Sequence, residues 1–325
     1  MRMDWLKVGF FTVLLHIALA VQGAVPDSVS VRAAKPEGSL LNQGVVGIIT
    51  GGVGGTYLRI AADMATVLDQ DRLRILAMIG KGSVQNTRDL LYLKGVDMAI
   101  VQSDVMEYLR RQKTYDAIET RIQYVTKLYN EEFHLLAKAG INTLNDLAGR
   151  KVNFDNTGSG THITASIVFD LLKIAVEPTH YDQATALEKL KAGEIDALAY
   201  VAGKPAQLFE KLTADAQLHF LAIEHNPALL ETYLPTQLGS QDYPALIKPD
   251  QEVKTIAVGA VLAVYHWGRA SARYQRVANF IHHFFENLSQ FQQPARHPKW
   301  REISLSAEIP GWTRFQAARE WLQRR

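Results

Sequence analysis

The chain of 325 residues carries 35 Lys+Arg against 33 Asp+Glu, is 47% hydrophobic and contains no cysteine. Near-neutral charge with acids and bases interspersed excludes the electrostatic footprint of a nucleic-acid or anionic-membrane binder. Without cysteine there are no disulfides, no thiolate metal sites and no cysteine-borne lipid anchor, so stability must come from a core; roughly 300 residues suffice for one, more naturally as two lobes.

The first twenty residues read as a signal peptide: Arg2 and Lys7 flank a charged start, residues 8–21 are apolar, and Ala18-Leu-Ala20 fits a small-residue cleavage site. The apolar run is too short for a well-flanked membrane span, although an uncleaved anchor is the alternative reading. The mature chain is therefore expected to be exported and not inserted in the membrane. Residues 21–40, with Pro26, Pro36 and Gly38, read as a flexible leader.

Val45, Val46, Ile48 and Ile49 then predict a buried strand. It is broken by Gly51, Gly52, Gly54 and Gly55, after which Leu58, Ala61, Ala62, Ala65 and Leu68 recur at helical spacing, with Thr56 as the expected N-cap. A strand, a glycine-rich turn and a helix N-terminus together cradle anions, because the backbone can come close and the helix dipole favours negative charge. Gly52, Gly54, Gly55, Thr56 and Tyr57 are thus candidate ligand contacts; tight strand–helix packing is the structural alternative. No Lys-Ser/Thr pair closes the glycines as in a nucleotide P-loop, and no acidic strand end follows as in a dinucleotide fingerprint.

A second strand near Leu73–Met78, a loop carrying Ser83, a helix with Leu90, Leu91 and Leu93, and a third strand over residues 95–101 continue the alternation expected of a parallel α/β sheet. In such sheets ligands sit at the carboxyl ends of strands, which nominates Ser83, Gln102 and Ser103, although turn-capping serines are equally ordinary. Extended patterns cover residues 121–139, and Thr143–Leu147 reads as a short capped helix. The Glu131–Glu132 pair beside His134 lacks a second nearby histidine, so His134 is read as structural rather than metal-ligating.

A second strand–loop–helix unit begins at Val152, with a loop through Asp155, Thr157, Gly158, Ser159, Gly160 and Thr161 and a helix expected to reach Ile174. Ser159 and Thr161 offer hydroxyls. The Asp155 carboxylate either pairs with an ammonium group on the ligand or hydrogen-bonds its own turn. A short strand near His180–Tyr181 and a helix over residues 184–191 precede the strand 195–201, whose Gly193-Glu-Ile-Asp196 entry echoes Gly95-Val-Asp97. Tyr200 at its end stacks on a ligand or belongs to the core. Lys204 either clamps a carboxylate or stays solvated. Helices over 206–212 and 227–234 and a strand over 218–223 are expected next, then a long apolar strand over 254–265 that can return the chain to the first lobe. The spans 270–288 and 313–322 read as amphipathic helices.

Gly51-Gly-Val-Gly-Gly-Thr-Tyr57, Gly82-Ser-Val-Gln-Asn86, Asp97-Met-Ala-Ile-Val-Gln-Ser-Asp-Val105, Leu128-Tyr-Asn-Glu-Glu-Phe-His134, residues 144–152, Gly158-Ser-Gly-Thr161 and Gly203-Lys-Pro205 together resemble the extracytoplasmic solute receptors of the TAXI type that serve TRAP transporters. The resemblance runs from about residue 44 to the end. It implies a type II periplasmic-binding-protein fold of two α/β lobes, each a mostly parallel sheet flanked by helices, with lobe one formed by residues 41–135 and 255–325 and lobe two by 136–254. It further implies a periplasmic, monomeric receptor that holds a small organic anion, glutamate-like or a dicarboxylate, between the lobes and delivers it to TRAP-type permease subunits, with no cofactor and no metal. A periplasmic sensor for a signalling partner is the runner-up. An exported enzyme using the same cleft is the third reading, but Ser159 is not in a Gly-x-Ser-x-Gly elbow and no catalytic constellation is signalled.

Overall fold

The computed structural model describes residues 44–70, 72–213 and 217–324. The signal peptide and leader read from the sequence lie outside the described residues.

Ten strands among the described residues join in one hydrogen-bonded sheet: β1 (Val45–Ile49), β2 (Arg74–Met78), β3 (Met98–Gln102), β4 (Ile122–Lys138), β5 (Lys151–Asn153), β6 (Glu177–Thr179), β7 (Ala197–Ala202), β8 (Leu218–Phe220), β9 (Leu234–Gly239) and β10 (Glu252–Tyr265). The path β2-β1-β3-β10-β4-β7-β5-β6 places a parallel triplet at each end and the antiparallel pair β4/β10 in the middle. These two long strands serve both lobes. They are buried on both faces over most of their length, and β10 accordingly reads as a nearly continuous apolar run from Ile256 to Tyr265. Two register shifts in the β4/β10 ladder bend the ribbon between the lobes.

The longer helices are α1 (Thr56–Leu68), α2 (Ser83–Tyr92), α3 (Val105–Arg111), α4 (Gly160–Leu171), α5 (Gln183–Lys191), α6 (Ala272–Glu286) and α7 (Gln316–Gln323). In the first lobe they cover both sheet faces. Ile60 and Met64 of α1 pack with Phe280 and Phe284 of α6 and with Trp300 on one side, while Leu90, Val96 and Leu109 fill the other. The second lobe repeats the three layers, with Phe133, Val152 and Phe169 on one side of its sheet and Leu136, Leu190, Phe209 and Tyr243 on the other. The expected two-lobed α/β architecture is what the chain adopts, and no described helix is long and apolar enough to cross a membrane.

The sequence echo has a physical basis. Asp97 and Asp196 each enter a strand with the side chain accepting a backbone N–H from the neighbouring strand, Gly47 N at 3.1 Å and Lys151 N at 3.0 Å. Each carboxylate is then paired with a cation, Arg276 at 3.3 Å and Lys138 at 2.7 Å. The same aspartate thus locks the parallel register at the start of a strand in each lobe.

Several boundaries differ from those expected. The N-cap of α1 is Gly55, not Thr56, whose hydroxyl donates instead to the Gly203 carbonyl at 3.3 Å. Helix α4 stops at Leu171 rather than Ile174 because Lys173 turns left-handed (φ 57°) and Ile174 N closes back on the Phe169 carbonyl. The strand expected at His180–Tyr181 lies at Glu177–Thr179: the Asn153 side chain bonds both the N–H and the carbonyl of Tyr181, taking the place of a ladder. The helices expected over 206–212 and 227–234 are single turns, Gln207–Glu210 and Pro227–Leu230, and the strand expected over 218–223 is the three-residue β8.

Candidate functional site

Three helices begin at one place. The N-termini of α1, α2 and α4 converge on a cavity of about 70 Å³ lined by Gly51, Gly52, Gly55, Thr56, Tyr57, Gly82, Ser83, Gln102, Glu131, Gly160, Thr161, Tyr200, Val201 and Ala202. The first turn of a helix leaves N–H groups without intrahelical partners, and its dipole favours negative charge. Three such termini at one place make the cavity a candidate site for an anionic group.

The loops meet across the cleft between the lobes. Val84 N donates to the Gly158 carbonyl at 3.3 Å, and Thr164 of α4 donates to Asp104 at 2.9 Å, with Tyr233 at 3.3 Å from the same carboxylate oxygen. This close approach is tightest at two glycines, Gly82 by its backbone and Gly160 by a neighbouring side chain. A Cβ on Gly160 would lie 2.1 Å from Gln102 Oε1, and one on Gly82, which has φ 102°, would lie 3.1 Å from Gly160 N.

Nine of the residues nominated from sequence line the cavity: Gly52, Gly55, Thr56, Tyr57, Ser83, Gln102, Gly160, Thr161 and Tyr200. Ser83 Oγ accepts from Gln102 N at 2.9 Å, and Thr161 Oγ1 accepts from Val201 N at 3.0 Å, so these hydroxyls also fix the wall they belong to. The other nominees are placed elsewhere. Gly54 faces a separate groove with Gln207. Ser103 ties to the backbone of Gly259. Thr157 is exposed, Gly158 contributes its carbonyl to the interlobe bond, and Ser159 caps α4 by accepting from His162 N at 3.1 Å.

The two charged nominees are not in the cavity lining. Lys204 reaches the Gln237 carbonyl at 2.6 Å and Asp242 at 3.0 Å, because the carboxylate and carbonyl on its own side satisfy its ammonium. Asp155, outside the lining, sits in a left-handed turn (φ 65°) with Asn156 Nδ2 at 3.3 Å, the turn-bonding arrangement, and its carboxylate acts on the Tyr200 phenol from behind the wall.

Glu131 was not among the nominees, and it is the one carboxylate that lines the cavity. Tyr57 donates to its Oε2 at 2.6 Å. Burial pushes its pKa up to about 8, and the nearby Glu132 and Asp104 act in the same direction. The same burial and the same carboxylate hold the Tyr57 phenol well above its ordinary range. Two consecutive acids in a strand must point to opposite faces. Glu132 accordingly turns to the other side, where Lys299 reaches it at 2.6 Å. That alternation, inside a strand buried at nearly every position from Leu128 to Leu136, is the available sequence signal. His134 is held between the Tyr200 carbonyl at 3.2 Å and the Tyr243 hydroxyl at 2.7 Å, and burial lowers its pKa to about 3. Among the described residues no group of three or more His, Asp or Glu could hold a metal ion.

The model of the NMT1-like family matches residues 48–311. Among solved structures, one from Bordetella bronchiseptica RB50 is similar with a TM-score of 0.54 at 12% identity, covering 87% of this chain and 98% of that one. An alkanesulfonate-binding protein from Xanthomonas axonopodis pv. citri, bound to MOPS, has a TM-score of 0.48 at 16% identity, covering 87% and 84%. An amino acid ABC transporter substrate-binding protein from Streptococcus pneumoniae, bound to L-arginine, has a TM-score of 0.45 at 14% identity, covering 80% and 95%. At these identities the likeness concerns the fold.

Proposed function

Because the chain belongs to the NMT1-like family, we propose that it is an extracytoplasmic solute-binding receptor that holds a small organic ligand with an anionic group in the interlobe cavity. The observation that carries this reading is the convergence of three helix N-termini, contributed by both lobes, on one cleft. Neither Lys204 nor Lys299 faces that space, so the anionic group is held by backbone N–H groups and hydroxyls rather than by a cationic side chain.

The motif resemblance to TAXI receptors supports delivery to a TRAP-type permease, with a glutamate-like amino acid or a dicarboxylate as cargo and a monomer as the working unit. Residues 136–254 form the lobe that swings, and residues 41–135 with 255–325 form the other. Exchange of the Val84–Gly158 and Thr164–Asp104 bonds would open and close the cleft and change the face shown to the permease.

Thermal shift of residues 21–325 against amino acids, dicarboxylates, keto acids and oxyanions tests the reading. A ligand specific to the folded state raises Tm by mass action. Gly52 lines the cavity and a Cβ on it meets nothing within 4 Å, so Gly52→Phe meets no clash at its Cβ and is expected to obstruct the cleft. A compound that stabilises the wild type and not Gly52→Phe supports cleft binding; one that stabilises both equally overturns it.

A further inference from the structure

We propose that Glu131, anchored by Tyr57 in the wall of the cleft, is the group that recognises a positively charged nitrogen on the ligand, so that the receptor selects compounds carrying both an ammonium and a carboxylate over carboxylates of the same carbon skeleton. The inference rests on the cleft being the binding site. It assigns to Glu131 the selection for which Asp155 stood in the sequence, and it chooses between an amino acid and a dicarboxylate.

The cavity presents two opposite demands a short distance apart. The N-termini of α1, α2 and α4 favour negative charge. Glu131, 2% exposed and lining the same space, favours positive charge or a strong donor. Apart from Glu131, the only ionisable side chains in the lining are the phenols of Tyr57 and Tyr200.

The groups that bear on the Glu131 carboxyl are Tyr57, Tyr129, Tyr200, Glu132, Asp104 and Lys299. The one cation of that set, Lys299, is bound to Glu132 at 2.6 Å and to Glu302 at 2.7 Å. A carboxylate buried without a dedicated cation is costly to ionise, and an ammonium arriving in the cleft is what offsets that cost. A purely anionic ligand would instead need Glu131 to keep its proton and act as a donor.

The two arrangements differ in what happens to that proton. Burial holds Glu131 protonated at neutral pH. When an ammonium ligand binds, Glu131 ionises, the proton leaves to the buffer, and the N–H donates to the carboxylate. When a dicarboxylate binds, the proton stays and no release occurs.

Isothermal titration of residues 21–325 with matched pairs tests this: L-glutamate against glutarate, L-aspartate against succinate, and the other common amino acids each against the corresponding deaminated acid. At pH 7 in two buffers of different ionisation enthalpy, the expected result is that an amine-bearing member binds and releases about one proton, while its deaminated partner binds about 10–100-fold more weakly. Glu131→Gln should shrink that preference to within about threefold and abolish proton release, for want of the charge-assisted bond. Asp155→Asn, outside the cavity, should retain both. Equal binding of the two members, or a preference that survives Glu131→Gln, overturns the role of Glu131, and so does binding of the amine without proton release. Gly52→Phe separates the levels: equal binding of the pair that is lost in Gly52→Phe overturns Glu131 alone. Binding that persists in Gly52→Phe, or absence of binding by every pair, overturns the cleft reading with it.

Discussion

The Tyr57 hydroxyl lies 2.6 Å from Oε2 of Glu131, a contact between residues 74 positions apart that brings the start of α1 onto the middle of β4 inside the cavity wall. It joins the first glycine loop to the strand that both lobes share. Its energetics follow from burial: the folded chain holds a proton on Glu131 up to about pH 8, whereas the unfolded chain releases it near the ordinary glutamate value.

Stability attributable to Glu131 is therefore fully present below the unfolded pKa and lost as pH rises toward 8. Between pH 6.5 and 8 wild-type unfolding free energy should fall by up to ~1.4 kcal/mol per pH unit. Glu131→Gln should flatten that limb. Urea titrations of both proteins at pH 6.5, 7.25 and 8 check this, and parallel curves would show that Glu131 does not titrate in that window.

Asp104 is the second buried acid at the lobe contact, with its pKa pushed up to about 6 by burial and countered by the bonds from Thr164 and Tyr233. Thr164→Val should cost ~1–3 kcal/mol, because it strips a donor from a buried carboxylate. Asp104→Asn should gain on the wild type as pH rises from 4 to 6, since the native carboxyl is the weaker acid there. The stability difference between Asp104→Asn and wild type, measured by chemical denaturation across that range, reads the effect directly.

Lys299 is 1% exposed and holds Glu132 at 2.6 Å. Lys299→Met leaves that carboxylate buried without its cation and should destabilise by ~3–5 kcal/mol. Adding Glu132→Gln should recover a substantial part of the loss, because the orphaned charge is then gone. A double variant no more stable than Lys299→Met would place the cost in packing rather than in charge.

At Gly160 the limiting contact is a side chain, Gln102, and not backbone. Gly160→Ala should destabilise by ~1–3 kcal/mol through overpacking at the loop contact. Gly160→Ala with Gln102→Ala should regain most of it. Failure of that rescue, read by thermal unfolding, would mean that the glycine is required for another reason.

Much of the architecture was legible because it is written in local periodicity. The apolar run at Val45–Ile49, the glycines after it and the helical spacing from Leu58 to Leu68 specify strand, turn and helix within a few neighbours. The echo at Asp97 and Asp196 is visible in the sequence, and in the structure each aspartate bonds the strand beside it. Helix α4 ends before its periodicity does, and no glycine marks the stop: Lys173 adopts the left-handed turn instead.

What the sequence determined by itself was thus the order of elements, the glycine loops and the α/β class, all set by interactions within a turn or a strand. Tertiary structure decided which side chains face the cavity. Glu131 and Glu132 are adjacent in the chain, yet strand alternation sends one to Tyr57 and the other to Lys299, 167 residues further on. Lys204 and Asp155 looked equally suited to a ligand, and each is held by partners of its own, Asp242 for the one and the turn at Asn156 for the other. A charge in a loop goes to the nearest group that satisfies it, and which group is nearest is fixed only when strands distant in sequence are laid side by side.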